Sequence, residues 1–304
     1  MIPRELFSRV RRIQITTSRL VTDVFAGQYH SVFKGQGIEF EEVREYQPGD
    51  DVRSIDWNVT ARTGTVHIKK FVEERELTVM IMVDASMSCR FATVNELKSK
   101  LAAEIAALLA FSAIRNNDKV GLIIFTDKIE KFIPPRKGIK SVLRAIREVL
   151  YFEPQSSGTD LVQALDYLNK VMTRRAVVFL ISDFLEPQEH GISLKPKEPK
   201  FKIPMTIANK RHDVVAITLN DPQESHLTGN ALLTLEDAET GEIVTVDSSD
   251  SHVRRMYSQQ ADERLRQRSR LFRSISIDHV DISTDSSYME EFVKFFVERK
   301  RRVH

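Results

Sequence analysis

Four stretches of the chain are apolar at almost every position rather than at alternate ones: Val79 to Val83, Val120 to Phe125, Ala176 to Ile181 and Val214 to Leu219. Runs of this length and texture read as strands buried on both faces. Ile277 to Ile282 completes the series, and Lys128 to Ile133 reads as a short edge strand. Helical spacing fills the intervals. Leu97, Leu101, Ile105, Leu108 and Leu109 form one stripe of a helix over Asn95 to Arg115, and Lys140 to Leu150 and Asp160 to Met172 follow the same period. Ser287 and Glu290 make a capping box that opens a last helix, through Val297. Strands alternating with helices predict an α/β fold with a doubly wound, mostly parallel sheet. Leu232 to Val246, with a turn at Thr240-Gly241, predicts a hairpin inserted at about 226–250.

The first quarter has another texture. Residues 23–76 are dense in charge and read as short strands and turns. Ile55, Trp57 and Val59 alternate with polar residues, which predicts a half-buried strand with Trp57 as its core anchor. Val66, Ile68 and Val72 predict a second strand, and Pro48-Gly49-Asp50 a turn. Ahead of these, Ile2, Leu6, Val10 and Ile13 share one face of a basic amphipathic helix, read as packing on the body while leaving room for peripheral contact with a membrane surface. The division expected is 1–76, an amphipathic helix with a β-rich charged subdomain, and 77–304, the α/β domain. Leu185 to Lys210, rich in Pro and Lys, reads as an irregular surface loop, and Arg254 to Arg273 as an arginine-rich amphipathic helix.

Composition narrows the classes. The 304 residues are 41% hydrophobic and 29% charged with a net charge of +2, enough apolar side chain for a full core and no charge excess that demands nucleic acid. The single cysteine, Cys89, excludes a disulfide framework and fits a reducing, cytoplasmic setting. No apolar run is long enough to span a bilayer, and the N-terminus lacks the apolar core of a signal peptide. The eight histidines occur singly, without zinc-ligand spacing. No nucleotide-binding glycine motif is present, so the energy for any remodelling must come from a partner.

Chemistry gathers where the buried strands end. Asp84-x-Ser86-x-Ser88 follows the first, Ser182-Asp183 follows the 176–181 strand, and Thr159 precedes the helix at 160. In an open parallel sheet, ligands bind beyond the carboxyl ends of the strands. Carboxylates and small hydroxyls without thiol or imidazole suit a hard dication such as Mg²⁺ or Mn²⁺. Asp84 would supply charge, Ser86, Ser88 and Thr159 neutral oxygens, and Asp183 a direct or water-mediated contact. With so few anionic donors the ion stays electrophilic and can accept a carboxylate from outside.

These five residues resemble the metal-ion-dependent adhesion site of von Willebrand factor A domains. Further segments resemble one bacterial family, the domain of unknown function fifty-eight: Tyr29 to Phe40, Arg44 to Arg53, Ile55 to Asn58, Thr60 to Arg62, Asp221-Pro222 with Glu224, and Glu239 to Glu242. The resemblance covers about residues 25 to 300. It implies a von Willebrand factor A-like fold and a non-enzymatic, chaperone-like adaptor of a MoxR-type AAA+ ATPase acting on a client complex. Cys89 stands where many such sites have Met, a change read as one of packing rather than ligation. The loop at 185–210 is longer and more basic than the family pattern.

Two other functions compete. A Mg²⁺-dependent phosphatase would use Asp84 as nucleophile and Lys98 or Lys100 as phosphate clamp, but Ser86 stands where a second carboxylate is wanted as general acid. A nucleic-acid binder would use the arginine helix, but the balanced charge and sparse aromatics give it little support.

Overall fold

A computed structural model gives the fold; the described residues are 29, 33, 39–72, 76–90, 98–185, 198–227, 231–236, 241 and 243–303. The basic helix expected near the N-terminus lies outside them. Strand β1 (Glu39–Glu45) pairs antiparallel with β2 (His67–Val72). Between them the turn at Pro48-Gly49-Asp50 forms, with Asp50 N–H donating to Gln47 O at 3.0 Å. Asp50 also takes a forked pair of bonds from Arg44, at 2.9 and 2.6 Å.

The strand predicted at Ile55 to Val59 is instead helix α1 (Trp57–Thr63). Asp56 caps it, its Oδ1 accepting from Asn58 N–H at 3.0 Å and Val59 N–H at 3.3 Å, and Gly64 ends it at φ +78°. A cap is worth about 1 kcal/mol, as much as the whole spread of strand preference, and here it outweighs a three-residue alternation. Trp57 is correspondingly 67% exposed rather than a core anchor.

The central elements follow as β3 (Thr78–Asp84), α2 (Lys98–Arg115), β4 (Lys119–Phe125), β5 (Ile129–Arg136), α3 (Ile139–Leu150), α4 (Leu161–Val171), β6 (Val177–Ser182), α5 (Lys202–Arg211) and β7 (Asp213–Asn220). Helix α5 corrects the expectation of an irregular loop over its last part, 202–210, while residues 186–197 of that expected loop lie outside the described residues. Pro204 stands in its first turn, where the missing N–H costs nothing, and Met205 and Ala208 are buried against the sheet. The insertion is a hairpin of β8 (Leu232–Glu236) and β9 (Ile243–Asp247), paired antiparallel. The long helix α6 (Ser251–Ser274), strand β10 (Asp278–Ser283) and helix α7 (Tyr288–Val303) complete the chain, α7 running beyond the Val297 end expected.

The six-stranded sheet has the order β10-β7-β6-β3-β4-β5, parallel throughout except for β5 at one edge. This is the doubly wound order, with the chain winding one way from β3 and the other way from β6. The doubly wound, mostly parallel α/β sheet expected from the sequence is thus the one found. Alternation within strands explains the unbroken apolar runs. Val79, Ile81 and Val83 face α2 and α7, with Ile105, Leu108, Phe292 and Phe296, while Met80 and Met82 face α4 and α5, with Leu165, Leu168 and Met205. Among the described residues no helix is long and apolar enough to cross a membrane.

Candidate metal centre at the switch point

Strands β3 and β6 lie side by side, and the connections leaving them diverge. A crevice opens beyond their carboxyl ends. Asp84 is the last residue of β3 and Asp183 follows the last residue of β6, so the strand ends bring together two carboxylates far apart in sequence. Both are buried. Asp84 Oδ1 accepts from Ser86 N–H at 3.0 Å, curling the chain so that Ser86 Oγ and Ser88 Oγ stand 2.9 Å apart. Asp84 Oδ2 accepts from Ser182 Oγ–H at 2.7 Å. Asp183 Oδ1 accepts from Leu185 N–H at 3.2 Å, while its Oδ2 is buried without a hydrogen-bond partner.

The third loop reaches the same rim. Met87 N–H donates to Ser157 O at 3.0 Å, and Asp160 N–H to Thr126 O at 3.0 Å. Thr159 lies between these anchors, directly before Asp160, which caps α4 by accepting from Gln163 N–H at 2.9 Å. Asp84, Ser86 and Ser88 therefore share one turn, Asp183 faces them from β6, and Thr159 belongs to the loop tied alongside. A cavity of about 30 Å³ opens next to Asp84, lined also by Ser86, Cys89, Ser99 and Phe152; that is room for a water molecule.

Several residues that shape the site escaped the sequence reading. Lys98, at the start of α2, is fully buried, 3.5 Å from Asp183 Oδ2 and in contact with Glu224. It had entered only as a phosphate clamp, and its burial between two carboxylates removes it from that role. The signal was present: Lys98 continues the apolar stripe three residues before Leu101, a place where a lysine needs buried partners. Glu224 sits in a one-turn helix (Pro222–Glu224) whose capping box with Asp221 fixes it. Arg268 of α6 donates to Asp183 O at 2.8 Å and to Asn220 Oδ1 at 2.7 Å, bracing the loop from behind. Cys89 also belongs to the cluster, since its sulfur and one carboxylate oxygen each from Asp84 and Asp183 lie within 4.8 Å of one another.

The electrostatics are those of crowded acids. Burial, and then the negative charge of Asp183, push the Asp84 carboxyl up to about 7 against the pull of its bonds from Ser182 and Ser86. Burial and the same two carboxylates push the Cys89 thiol up. Burial works against the Lys98 charge, but Asp183 and Glu224 outweigh it and hold the ammonium above its ordinary value. One internal cation thus serves Asp183 and Glu224 together and leaves Asp84 uncompensated. Two buried carboxylates and the hydroxyl oxygens beside them form a donor set that fits a divalent cation.

The chain is similar to several known proteins. The chain is 29% identical over 299 residues to the uncharacterized protein Rv1480 of Mycobacterium tuberculosis, covering 98% of this chain and 90% of that one. Among solved structures it is similar to the conserved hypothetical protein BatB from Bacteroides thetaiotaomicron, at 15% identity and TM-score 0.45, covering 74% of this chain and 99% of that one. It is similar also to the SpRpn10 VWA domain, at 9% identity and TM-score 0.36, covering 72% and 94%. The family model described as "Protein of unknown function DUF58" matches residues 42–267, and the chain belongs to that family.

Proposed function

We propose that the protein is a non-enzymatic, metal-dependent interaction module. In this reading Asp84, Ser86, Ser88, Thr159 and Asp183 hold Mg²⁺ or Mn²⁺, and a carboxylate from a partner protein completes the shell. The observation that carries it is the pairing of Asp84 with Asp183 at the switch point, both buried, with one lysine, Lys98, shared between Asp183 and Glu224. Lys98 leaves the charge of Asp84 unmatched, and ionising that carboxylate beside Asp183 is costly without a further cation. The bound ion would supply Lewis acidity toward an incoming carboxylate. The chain's own residues fix the geometry: Ser182 orients Asp84, the Asp84–Ser86 bond sets the turn, and Lys98 and Arg268 steady the Asp183 loop.

The adaptor role follows the resemblance to the family. The partner we propose is a MoxR-type AAA+ ATPase in the cytoplasm, which supplies the energy that this chain has no motif to supply. A phosphatase is disfavoured because Ser86 cannot act as general acid and Lys98 is buried in ion pairs. The test is a calorimetric Mg²⁺ titration of the chain and of Asp84→Ala and Ser86→Ala, with capture of the ATPase in Mg²⁺ and in chelator. Saturable Mg²⁺ binding lost in both variants, and ATPase released by chelator, are expected. Capture that is indifferent to chelator and to both substitutions would overturn the metal bridge.

A further inference from the structure

Three neighbouring strands of the sheet, β3, β6 and β7, each deliver an acid at or just beyond the carboxyl end: Asp84, Asp183 and Glu224. Lys98 of α2 stands between the last two. Its side chain is fully buried, its Nζ lies 3.5 Å from Asp183 Oδ2, and it donates to Glu224 Oε1. Glu224 is held from its other side, because its Oε2 accepts from Asp221 N–H at 3.0 Å in the capping box. Thr284 Oγ–H donates to Asp221 Oδ2 at 3.0 Å, tying that turn to the residue after β10. The ammonium is therefore shared between one acid of the metal centre and one acid fixed outside it. A buried cation gives up one carboxylate at low cost only where another remains to hold it.

We propose that Lys98 is an internal competitor for the dication, and that Glu224 sets the strength of that competition. This rests on the reading that Asp84 and Asp183 hold a metal. In the metal-free chain the ammonium answers the charge of Asp183. A dication shares that carboxylate and repels the ammonium. Lys98 then leans on Glu224, and its charge stays matched while Asp183 turns to the ion. If Glu224 loses its charge, the ammonium loses this refuge and holds Asp183 more tightly. The two residues thus act in opposite directions: Lys98 weakens metal binding, and Glu224 relieves that weakening. Glu224 is a positioning residue that works through the lysine. Linkage is reciprocal, so metal loading strengthens the Lys98–Glu224 pair and fastens the Pro222–Glu224 turn, from which the chain runs on to the β8–β9 hairpin.

Calorimetric Mg²⁺ titrations test this on the full chain, on Lys98→Met, on Glu224→Gln and on the double variant, each checked for folding by circular dichroism. Lys98→Met is expected to bind Mg²⁺ about 10- to 100-fold more tightly, and Glu224→Gln about 10-fold more weakly. In the Lys98→Met background the Glu224→Gln effect should shrink to within about 3-fold, as it must for a residue that acts through the lysine. If both single variants bind more weakly, the pair is ordinary bracing and the proposal is overturned. An effect of Glu224→Gln that is equal in the two backgrounds overturns it as well. A wild type that takes up Mg²⁺ while the variants miss these signs removes only the roles of Lys98 and Glu224. A wild type that takes up none removes the metal centre itself. Should Lys98→Met not fold, Lys98→Gln takes its place, and unchanged affinity in Glu224→Gln is by itself enough to overturn the competition.

Discussion

Ser182 Oγ donates a 2.7 Å hydrogen bond to Oδ2 of Asp84, joining the carboxyl ends of β6 and β3. The same oxygen accepts from Phe184 N–H at 3.0 Å, so one hydroxyl sets both the Asp84 carboxylate and the start of the Asp183 loop. That bond pulls the Asp84 carboxyl down against burial. Ser182→Ala should raise it further and weaken metal binding at pH 7 by about 10-fold. Much of the loss should return at pH 8.5, where the carboxyl is ionised regardless. Calorimetric titrations at the two pH values check this, and a loss equal at both would assign Ser182 to packing alone.

The titration of Asp84 gives metal-free stability a pH dependence of unusual sign. Its carboxyl is pushed up to about 7 in the folded chain, against about 3.9 when unfolded. A raised pKa favours the protonated form. The contribution is therefore full below about pH 4 and is lost as pH climbs through 7. In chelator, the urea midpoint of the wild type should fall between pH 5.5 and 8 relative to that of Asp84→Asn, which mimics the neutral acid. Adding the dication at pH 8 should restore it, because binding takes the ionised form. Parallel profiles for the two proteins would contradict the coupling.

His212 acts in the opposite direction. It follows α5 and is buried, with neither ring nitrogen hydrogen-bonded. Burial first, then the charges of Arg211 and Arg175, hold its pKa below the ordinary value. A depressed histidine stabilises while neutral, and that contribution is lost as pH falls below its unfolded value of about 6.5. His212→Leu should flatten the acid side of the stability profile without touching metal binding. Denaturation at pH 5 and pH 7.5, wild type against variant, reads the difference directly.

Gly121 in β4 leaves no space for a side chain. A Cβ there would lie 2.8 Å from Met80 Cε, 3.0 Å from Ile133 O and 3.0 Å from Pro135 Cδ. The methionine end can swing away, but the backbone oxygen of β5 can move only with its strand. Gly121→Ala should destabilise by about 1–3 kcal/mol, seen as a lowered thermal midpoint, with β5 loosening first in hydrogen exchange.

The sheet was legible because its central strands are buried on both faces, so Val79 to Val83 and Ala176 to Ile181 carry unbroken apolar runs that few other elements produce. The turn of Asp84, Ser86 and Ser88 was legible because it is local, its bonds spanning two residues. What the sequence hid depends on distant partners or on competition. The alternation of Ile55, Trp57 and Val59 lost to a cap at Asp56 and a left-handed stop at Gly64. Four prolines masked α5, although Pro204 falls where a helix tolerates it. Lys98 meets Asp183 and Glu224, and Ser182 meets Asp84, only after the sheet has formed. No spacing rule reports such pairs.

The outer strand β5 ends in Ile133, Pro134, Pro135 and Arg136, and its register against β4 slips between Val120 and Leu122. Two imino acids in succession remove two backbone donors, and the slipped register twists the flank. A foreign strand seeking to extend the sheet at that end meets an interrupted ladder. This end of the flank resists recruitment by backbone pairing, so a partner docking over Pro134 and Pro135 must be recognised by side chains.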